Sequence, residues 1–282
     1  MKLKNLIILI TLLSCAATIQ AHRKQVLLDK DGKFIQEDNP NSYESGFNEI
    51  KWQPVTIPHD WAIYGPFDRN NDLQNVAVTQ NFEAQASLKT GRTGGLPYVG
   101  TGWYRRTFNV ENYTSGKQAS LLFDGAMSEA RVYVNGKEVC FWPYGYNSFH
   151  CDITPFLTED GRNNQLAVRL ENKPQSSRWY PGAGLYRNVH LIITDEVHIP
   201  VWGTYLTTPH VSDQLASIRL LSNIVNSGDK DIRVYTEIID PNGKVVVTKD
   251  DTRKINHGLP FEQNILVNNP LLWSPETPYL YK

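Results

Sequence analysis

The sequence lacks an excess of charge of either sign. Its 282 residues carry 28 Lys and Arg against 29 Asp and Glu, which leaves a formal net charge of −1. Proteins that bind polyanions use a strong positive field, so the balance argues against nucleic acid or an acidic surface as a partner. With 40% hydrophobic and 20% charged residues the chain can still bury packed cores, and neutral ligands fit this composition better.

Cysteine is almost absent. The three cysteines are Cys15, Cys140 and Cys151, and neither their spacing nor any other motif predicts a metal site or a cofactor. Cys15 lies in the N-terminal segment described next, which leaves two cysteines for the rest of the chain. In an oxidising compartment these two pair across adjacent strands or stay as buried free thiols, and the sequence leaves both alternatives open.

Long apolar runs are missing apart from one at residues 6–13. Two lysines precede this run and small residues follow it up to Ala21, which is the layout of an export signal. We therefore predict that residues 1–21 are a signal peptide and that the mature chain is periplasmic or extracellular. The run is too short to span a bilayer, and no later segment approaches the roughly 20 apolar residues that a membrane helix needs.

A second interpretation of the same segment is a lipid anchor. Residues 12–15, Leu-Leu-Ser-Cys, resemble a lipoprotein box, although Leu13 fits its place in the box imperfectly. If this box is used, Cys15 carries the lipid and the protein sits on a membrane surface.

Helix-length periodic segments are also missing, and short alternating segments rich in β-branched and aromatic residues take their place. Asn135-Gly136 predicts a tight hairpin, because both residues accept a positive φ. Many short strands separated by Gly, Pro and Asn turns predict a β-sandwich. The first series of predicted strands covers residues 102–110, 119–123, 130–134, 137–141, 165–171 and 189–194.

A second strand series follows a boundary near residues 194–200. It covers residues 218–226, 232–239 and 244–248, with a hairpin turn at 240–243 (Asp-Pro-Asn-Gly). Residues 70–99 differ from both series, since they are polar and poor in periodicity, and we predict a long surface loop there.

The segment at residues 177–189 carries the strongest functional signal. It combines two arginines, three large aromatic residues and a Pro-Gly-x-Gly turn. Arginine offers a planar fork of donors to hydroxyl pairs and aromatic faces stack on pyranose rings, so the segment predicts a rim beside a sugar. Its alternative role is a packed loop that closes the sandwich.

Five further segments accompany this one in a fixed order. They are 58–61 (Pro-His-Asp-Trp), 102–108 (Gly-Trp-Tyr-Arg-Arg-Thr-Phe), 123–127 (Phe-Asp-Gly-Ala-Met), 132–136 (Val-Tyr-Val-Asn-Gly) and 269–281, which begins Asn-Pro-Leu-Leu-Trp. Together they resemble the non-catalytic front half of glycoside hydrolase family 2, in its β-galactosidase-like branch. The resemblance covers nearly the whole mature chain.

This resemblance implies an all-β fold in two units. Residues 22–195 would form a jelly-roll β-sandwich, the galactose-binding-like sugar-binding domain, and residues 196–282 an immunoglobulin-like β-sandwich that is incomplete. The catalytic (β/α)8 barrel that follows in the family is absent from these 282 residues. Relatives of this kind often self-associate through these sandwiches, so the resemblance also implies a homo-oligomer.

The resemblance also implies roles for individual residues. Arg178 would donate hydrogen bonds to galactose hydroxyls, and Trp179 and Tyr180 would shape the pocket. Arg187 would pair with a carboxylate inside the sandwich. The family's two catalytic glutamates lie on the barrel and map onto no position here, so no catalytic residue is assigned.

Two other groups have structural and functional interpretations. His59 and Asp60 are adjacent on an extended segment and point to opposite faces, so they cannot share one proton, and we interpret them as a structural corner. We expect Trp61 to bury its ring and Asp60 to satisfy backbone donors or an arginine, Arg105 or Arg106.

The second group is the set of aromatic residues Trp142, Tyr144 and Tyr146. They could form a carbohydrate platform, but aromatic clusters in sandwiches are more often core, and we favour the core.

The sequence thus predicts the front part of a secreted β-galactosidase-like enzyme that hydrolyses O-glycosidic bonds of β-linked carbohydrates by a retaining mechanism. This chain would shape the substrate site and be inactive alone. The alternative is an exported carbohydrate-binding sandwich without catalysis. The residues that choose between a β-galactoside and a related glycan would lie on the barrel.

Overall fold

The computed structural model describes residues 22–71, 73–90, 98–174, 180–225, 231–255 and 258–282. The predicted signal peptide, Cys15 included, and the predicted sugar contacts Arg178 and Trp179 lie outside these residues. The fold is all-β, as predicted: its helical elements are the 3-10 turns Trp61–Tyr64, Thr79–Asn81 and Thr154–Phe156. Within the described ranges, no helix has the length and apolar character needed to cross a membrane.

Two antiparallel sheets form the first unit, a jelly-roll sandwich, and a short hairpin extends from it. Its strands are β1 (Arg23–Leu27), β2 (Gly32–Ile35), β3 (Gln53–Val55), β4 (Leu73–Val76), β5 (Ser87–Thr90), β6 (Gly100–Phe108), β7 (Gln118–Phe123), β8 (Ala130–Val134), β9 (Lys137–Trp142), β10 (Phe149–Asp152), β11 (Asn164–Asn172) and β12 (Val189–Thr194). One sheet has the order β1-β12-β7-β10 and the other the order β3-β2-β6-β11-β8-β9.

The core lies between these two sheets because their strands alternate in burial. On β7, Ala119, Leu121 and Phe123 point inward and are buried, whereas the residues between them are partly exposed. The predicted limits of β8 and β12 are confirmed, and β6 starts and ends two residues earlier than predicted. Strands β1 to β3 were not predicted. All three are short, and β1 and β3 are also largely exposed at the sheet edges, whereas β2 is an inner strand with Phe34 buried.

The Asn135-Gly136 hairpin is confirmed. These residues have φ values of 51° and 80°, the left-handed pair that a two-residue hairpin loop requires. The Asn135 side chain also donates to the carbonyl of Phe156 and accepts from the amide of Gln165. The turn is thereby fixed to the neighbouring strand as well as to its own hairpin.

Cys140 and Cys151 form a disulfide, which resolves the alternative between pairing and free thiols. Their Cα atoms lie 6.1 Å apart. The strands that carry them, β9 and β10, are not adjacent in one sheet: each is the outermost strand of a different sheet. The disulfide therefore joins the two layers along one open flank of the sandwich.

The prediction of a structureless loop at residues 70–99 was wrong in part. Strands β4 and β5 pair antiparallel as a separate two-stranded sheet, with Leu73 opposite Thr90 and Val76 opposite Ser87. The glycine-rich part of this segment, residues 91–97, lies outside the described residues. The alternation was too short and too polar to be recognised in the sequence.

The second unit is an immunoglobulin-like sandwich. Its strands are β13 (Thr204–Val211), β14 (Leu215–Ser222), β15 (Asp231–Ile239), β16 (Val245–Lys254) and β17 (Phe261–Asn268), in sheets of order β13-β14-β17 and β15-β16. The predicted turn at 240–243 is confirmed, since the Asp240 carboxylate accepts from the amides of Asn242 and Lys244, both at 2.9 Å. The core is small and centres on Ala216, Ile238 and Ile265.

Candidate functional site

The Asp60 carboxylate anchors the turn at residues 180–185, which we call the rim turn. Its Oδ1 accepts from the backbone amides of Ala62 and Ala183, both at 3.0 Å, and its Oδ2 accepts from the Tyr180 hydroxyl at 2.7 Å. The prediction that Asp60 satisfies backbone donors is confirmed. Its alternative, an arginine partner, was wrong, because the described contacts of Asp60 go to amides and a phenol.

The arginines named as that alternative have other environments. Arg105 is buried. Its Nε donates to the Glu49 carboxylate at 2.6 Å, and its Nη1 donates to the carbonyls of Ser42 and Glu44. Its neighbour Arg106 points to the other face of β6, and its Nε donates to the carbonyl of Thr107 at 3.3 Å. Both are thus part of the sandwich framework.

Backbone pairing brings the Asp60 segment and the rim turn together. The amide of His59 donates to the carbonyl of Leu185 at 2.8 Å, and the amide of Trp61 donates to the carbonyl of Ala183 at 3.1 Å. Trp61 is 2% exposed, which confirms that its ring is buried. These contacts hold the two segments as a short antiparallel ribbon at the end of the sandwich.

Gly184 is the position where the rim turn comes closest to its support. Its φ is 106°, and a Cβ there would lie 2.3 Å from the Tyr104 hydroxyl and 2.7 Å from the His59 carbonyl. On its other side Gly184 exchanges two backbone hydrogen bonds with Met127, at 2.9 and 3.0 Å. The backbone is fixed from both sides, in a conformation that only glycine fits.

His59 faces away from Asp60 into an aromatic group. Its Nδ1 lies 2.7 Å from the Tyr104 hydroxyl, and its ring stands against Phe34 and the exposed ring of Tyr64. Burial lowers the pKa of His59, and the opposing charge of Asp60 does not outweigh it. His59 is therefore neutral near pH 7 and supports the rim turn without sharing a proton with Asp60.

Tyr180 is the predicted sugar contact that the structure describes. It is 39% exposed while its hydroxyl is held by Asp60. Partial burial, and then the hydrogen bond to the Asp60 carboxylate, raise the pKa of Tyr180, so the phenol stays protonated and donates. Its role at the sugar stays a prediction, as do the roles of Arg178 and Trp179 just before it.

Arg187 does not match its predicted role. It is exposed, and its Nη1 donates weakly to the carbonyls of Asp124 at 3.3 Å and Tyr146 at 3.5 Å, while its guanidinium lies 5.2 Å from the Tyr186 ring centroid. No ion pair with a carboxylate is found for it in the described ranges. The prediction of a carboxylate partner inside the sandwich was wrong because this side chain leaves the core.

The aromatic residues at 142–146 divide between core and surface. Trp142 packs against the core and stacks on Phe149 at 5.7 Å, so the core interpretation is confirmed for this residue. Tyr144 is 54% exposed, and the core interpretation was wrong for it. Tyr146 is half-buried and meets Tyr144 edge to face.

Apart from Asp60, two acidic side chains on segments that contact the rim turn are in ion pairs. Glu129 pairs with Lys173 at 3.2 Å and Glu171 with Arg169 at 3.2 Å. Where the structure describes the chain, no three His, Cys, Asp or Glu side chains group in a way that could bind a metal ion.

Comparison with known proteins identifies the family. Residues 35–195 match the model for "Glycosyl hydrolases family 2, sugar binding domain", and residues 197–282 match the model for "Glycosyl hydrolases family 2". A β-galactosidase of Bacteroides ovatus is 35% identical over 271 residues, covering 94% of this chain and 30% of the relative. A putative β-glucuronidase of Formosa agariphila is 30% identical over 276 residues, covering 98% of this chain and 24% of the relative.

Solved structures agree with these matches. A β-glycosidase from Bacteroides vulgatus superposes with a TM-score of 0.78 at 30% identity, covering 92% of this chain and 31% of that chain. A family 2 member from Bacteroides cellulosilyticus gives a TM-score of 0.77, also at 30% identity, over 91% of this chain and 32% of that one. The chain thus spans about a third of the length of these relatives. Because both family models match, one after the other along the chain, this protein belongs to glycosyl hydrolases family 2.

Proposed function

We propose that this chain is the substrate-shaping, non-catalytic front part of an exported family 2 enzyme that hydrolyses β-linked carbohydrates at their O-glycosidic bonds. The observation that carries the proposal is the match of both family models over residues 35–282, with a sugar-binding domain first. The relatives' names include both β-galactosidase and β-glucuronidase, so the proposal covers β-glycosides of either kind.

The rim turn is the part of this chain that we assign to the substrate. Asp60, Gly184 and the paired backbone fix its geometry before a sugar arrives, so little ordering remains to oppose binding. A held turn also places its contact atoms within the narrow range that a reacting sugar demands. Tyr180, with Arg178 and Trp179 just before it, would form one wall of the sugar site.

We assign the chemistry to a barrel outside these 282 residues. Retention of configuration needs two carboxyl groups about 5 to 5.5 Å apart, one as nucleophile and one as acid and base. Near the rim turn, Glu129 and Glu171 are in ion pairs instead, and the Asp60 carboxylate already accepts from three donors. We therefore expect the isolated chain to be inactive.

Export is part of the proposal. The Cys140–Cys151 disulfide suits an oxidising compartment, which agrees with a cleaved signal peptide at residues 1–21 or, alternatively, a lipid on Cys15. N-terminal sequencing and intact mass of the exported product distinguish a chain that begins at His22 from one that begins at a lipidated Cys15.

The proposal is tested with the complete product of the gene and with this chain alone, on aryl β-galactosides and aryl β-glucuronides. We expect turnover from the complete product and none from the chain. Tyr180→Phe in the complete product should lower kcat/KM about tenfold, because the rim turn loses the hydrogen bond to Asp60 that holds it beside the sugar, an effect of roughly 1.4 kcal/mol. Tyr205→Phe, at an exposed tyrosine of the second unit, serves as the control.

Two outcomes would contradict the proposal. Turnover by the 282-residue chain alone would show that it carries its own catalytic groups. An unchanged kcat/KM in Tyr180→Phe, with the fold intact, would remove the rim turn from the substrate site.

A further inference from the structure

The loop at residues 143–148, which we call the aromatic loop, carries rings on the outside of the sandwich. It connects β9 to β10, and the residues that flank it, Trp142 and Phe149, pack inward. Tyr144 instead is 54% exposed and meets Tyr146 edge to face at 5.5 Å. An exposed tyrosine packed against a half-buried one offers flat apolar faces and hydroxyls together, the combination that stacks on a pyranose.

Two glycines create the support for this loop. A Cβ at Gly125 would lie 3.0 Å from both the Tyr186 hydroxyl and Arg187 Cδ, so the bare backbone there lets both side chains lie across it. A Cβ at Gly145 would lie 2.3 Å from Met127 Sδ, which shows how closely the loop packs on its base. The Tyr186 hydroxyl then donates to the Gly145 carbonyl at 2.8 Å. The aromatic loop is held in place by these contacts.

Arg187 brings a positive charge to the same surface. Its guanidinium lies over Tyr186 and makes only two long hydrogen bonds, to backbone carbonyls, one of them on Tyr146. The carboxylate of Asp124 lies 3.1 Å from His190 Nε2 instead. Among the residues that the structure describes, no acidic group forms an ion pair with this guanidinium, so its fork of donors is available to a ligand.

Arg187 and the two tyrosines of the aromatic loop also interact electrostatically with Tyr186. Burial raises the pKa of Tyr186, Arg187 opposes this effect, and the hydroxyls of Tyr146 and Tyr144 add to it. The Tyr186 hydroxyl is therefore influenced by the Arg187 guanidinium and by both tyrosines of the aromatic loop. Arg187 Nη1 lies 3.5 Å from the Tyr146 carbonyl and the Tyr144 ring lies 5.5 Å from the Tyr146 ring, so the three residues are contiguous on this surface.

We propose that Tyr144, Tyr146 and Arg187 form a second carbohydrate subsite, which takes a pyranose carrying an anionic group, a carboxylate or a sulfate. The guanidinium fork matches either group with two parallel hydrogen bonds, and the tyrosine rings stack on the sugar. The carbohydrate class of the ligand rests on the proposed function. The anionic group is inferred from this surface alone.

The subsite adjoins the rim turn. A Cβ placed on Gly182 would lie 3.3 Å from Asp60 Oδ2 and 4.0 Å from Cγ of Tyr186, so the Tyr186 ring borders both sites. Gly182, beside Asp60, lies near the Cγ end of this ring, and the aromatic loop accepts a hydrogen bond from the hydroxyl at its other end. The two subsites would therefore contact neighbouring sugars of one glycan.

The test is calorimetric or NMR titration of the chain with three oligosaccharides of equal length, which are neutral, uronate-containing and sulfated. We expect a Kd in the range of about 1 mM for at least one anionic probe, with weaker binding of the neutral one. The uronate and sulfate arms identify which group is bound. Binding of the anionic probe should weaken with salt, because the guanidinium contact is screened.

Variants locate the site. Arg187→Gln should weaken binding of the anionic probe about fivefold or more and leave binding of the neutral probe unchanged. Arg187→Lys should bind the anionic probe with intermediate affinity, since it keeps the charge without the planar fork of donors. Tyr144→Ala should weaken both probes. Arg131→Gln is the matched control, because Arg131 also lies over an exposed ring, Phe141, but already pairs with Glu138.

Several results would overturn the inference. These are absence of binding, equal affinity for neutral and anionic probes, or affinities that Arg187→Gln and Tyr144→Ala leave unchanged. Loss of binding only in Arg178→Ala would place the sugar at the rim turn, which keeps the proposed function and removes the second subsite. Concentration-dependent dimerisation that Arg187→Gln abolishes would make this surface an interface between copies.

Discussion

Tyr180 donates its hydroxyl to Asp60 over 2.7 Å and thereby joins two positions that lie 120 residues apart in the chain. The same carboxylate holds two backbone amides, of Ala62 and Ala183. One side chain thus sets both the start of a 3-10 turn and the position of the rim turn. This arrangement makes Asp60 more important to the fold than its place on the surface suggests.

Asp60→Ala should reduce the free energy of unfolding by about 2 to 3 kcal/mol, because it removes the side chain that accepts from three donors. Urea unfolding measures the change. Glu138→Gln is the control, since it alters an exposed ion pair with Arg131 and should leave the midpoint nearly unchanged. Equal midpoints for Asp60→Ala and the parent chain would contradict the anchoring role.

Gly184→Ala should be among the most destabilising substitutions in the first unit. The new Cβ meets the Tyr104 hydroxyl and the His59 carbonyl at positive φ, and we expect a loss of roughly 3 kcal/mol or more. Gly243→Ala separates strain from crowding, because Gly243 has a φ of 84° with no atom within 4 Å of the new Cβ. That variant should lose only about 1 kcal/mol, and a similar loss in both would argue against crowding at Gly184.

Acid should destabilise the protein through Glu49. Burial alone would raise the pKa of Glu49, but hydrogen bonds from Lys33 and Arg105 and the charges of both cations lower it overall. A lowered pKa in the folded state means that the stabilisation is complete above the ordinary value of 4.5 and is lost as the pH falls through the folded pKa.

The Glu49→Gln variant isolates that effect. It should be less stable than the parent at neutral pH, and its stability should fall less between neutral pH and pH values below 4.5. Denaturant unfolding at several pH values gives both quantities. A parallel fall in parent and variant would assign the acid sensitivity to other carboxylates.

Reduction should weaken the sandwich. Cys140 and Cys151 lie 11 residues apart, and closing a loop of this size stabilises a fold by about 3 kcal/mol. Thermal unfolding with and without a thiol reductant should therefore show a lower midpoint in the reduced protein. The double variant Cys140→Ser, Cys151→Ser should start at the lower midpoint and not respond to the reductant; a response from this variant would show an effect unrelated to the disulfide.

Local rules account for much of the fold. The Asn135-Gly136 hairpin and strands β8 and β12 follow from turn chemistry and alternation within a few residues. Strands β1 and β17 were not predicted for different reasons. β1 is largely exposed, so it lacks a clear apolar face, whereas β17 alternates buried and exposed positions and could have been recognised.

The site depends on contacts between distant residues, and the sequence shows these less well. The chemistry of Asp60 predicts that its carboxylate needs hydrogen-bond donors. Which donor it contacts, Tyr180 and not Arg105, depends on how the strands pack together. The position of Arg187 was predicted wrongly for the same reason. The resemblance implied a carboxylate partner, whereas the side chain lies across Gly125 and donates to the Asp124 carbonyl.

The Cys140–Cys151 disulfide spans the whole aromatic loop, with one cysteine on each flanking strand. A peptide bond broken by a protease anywhere in residues 143–148 would therefore leave both fragments covalently attached and each still paired within its own sheet. If the protein is exported as proposed, it meets proteases in its surroundings. This one can expose a tyrosine-rich loop to them and remain a single molecule after a cut.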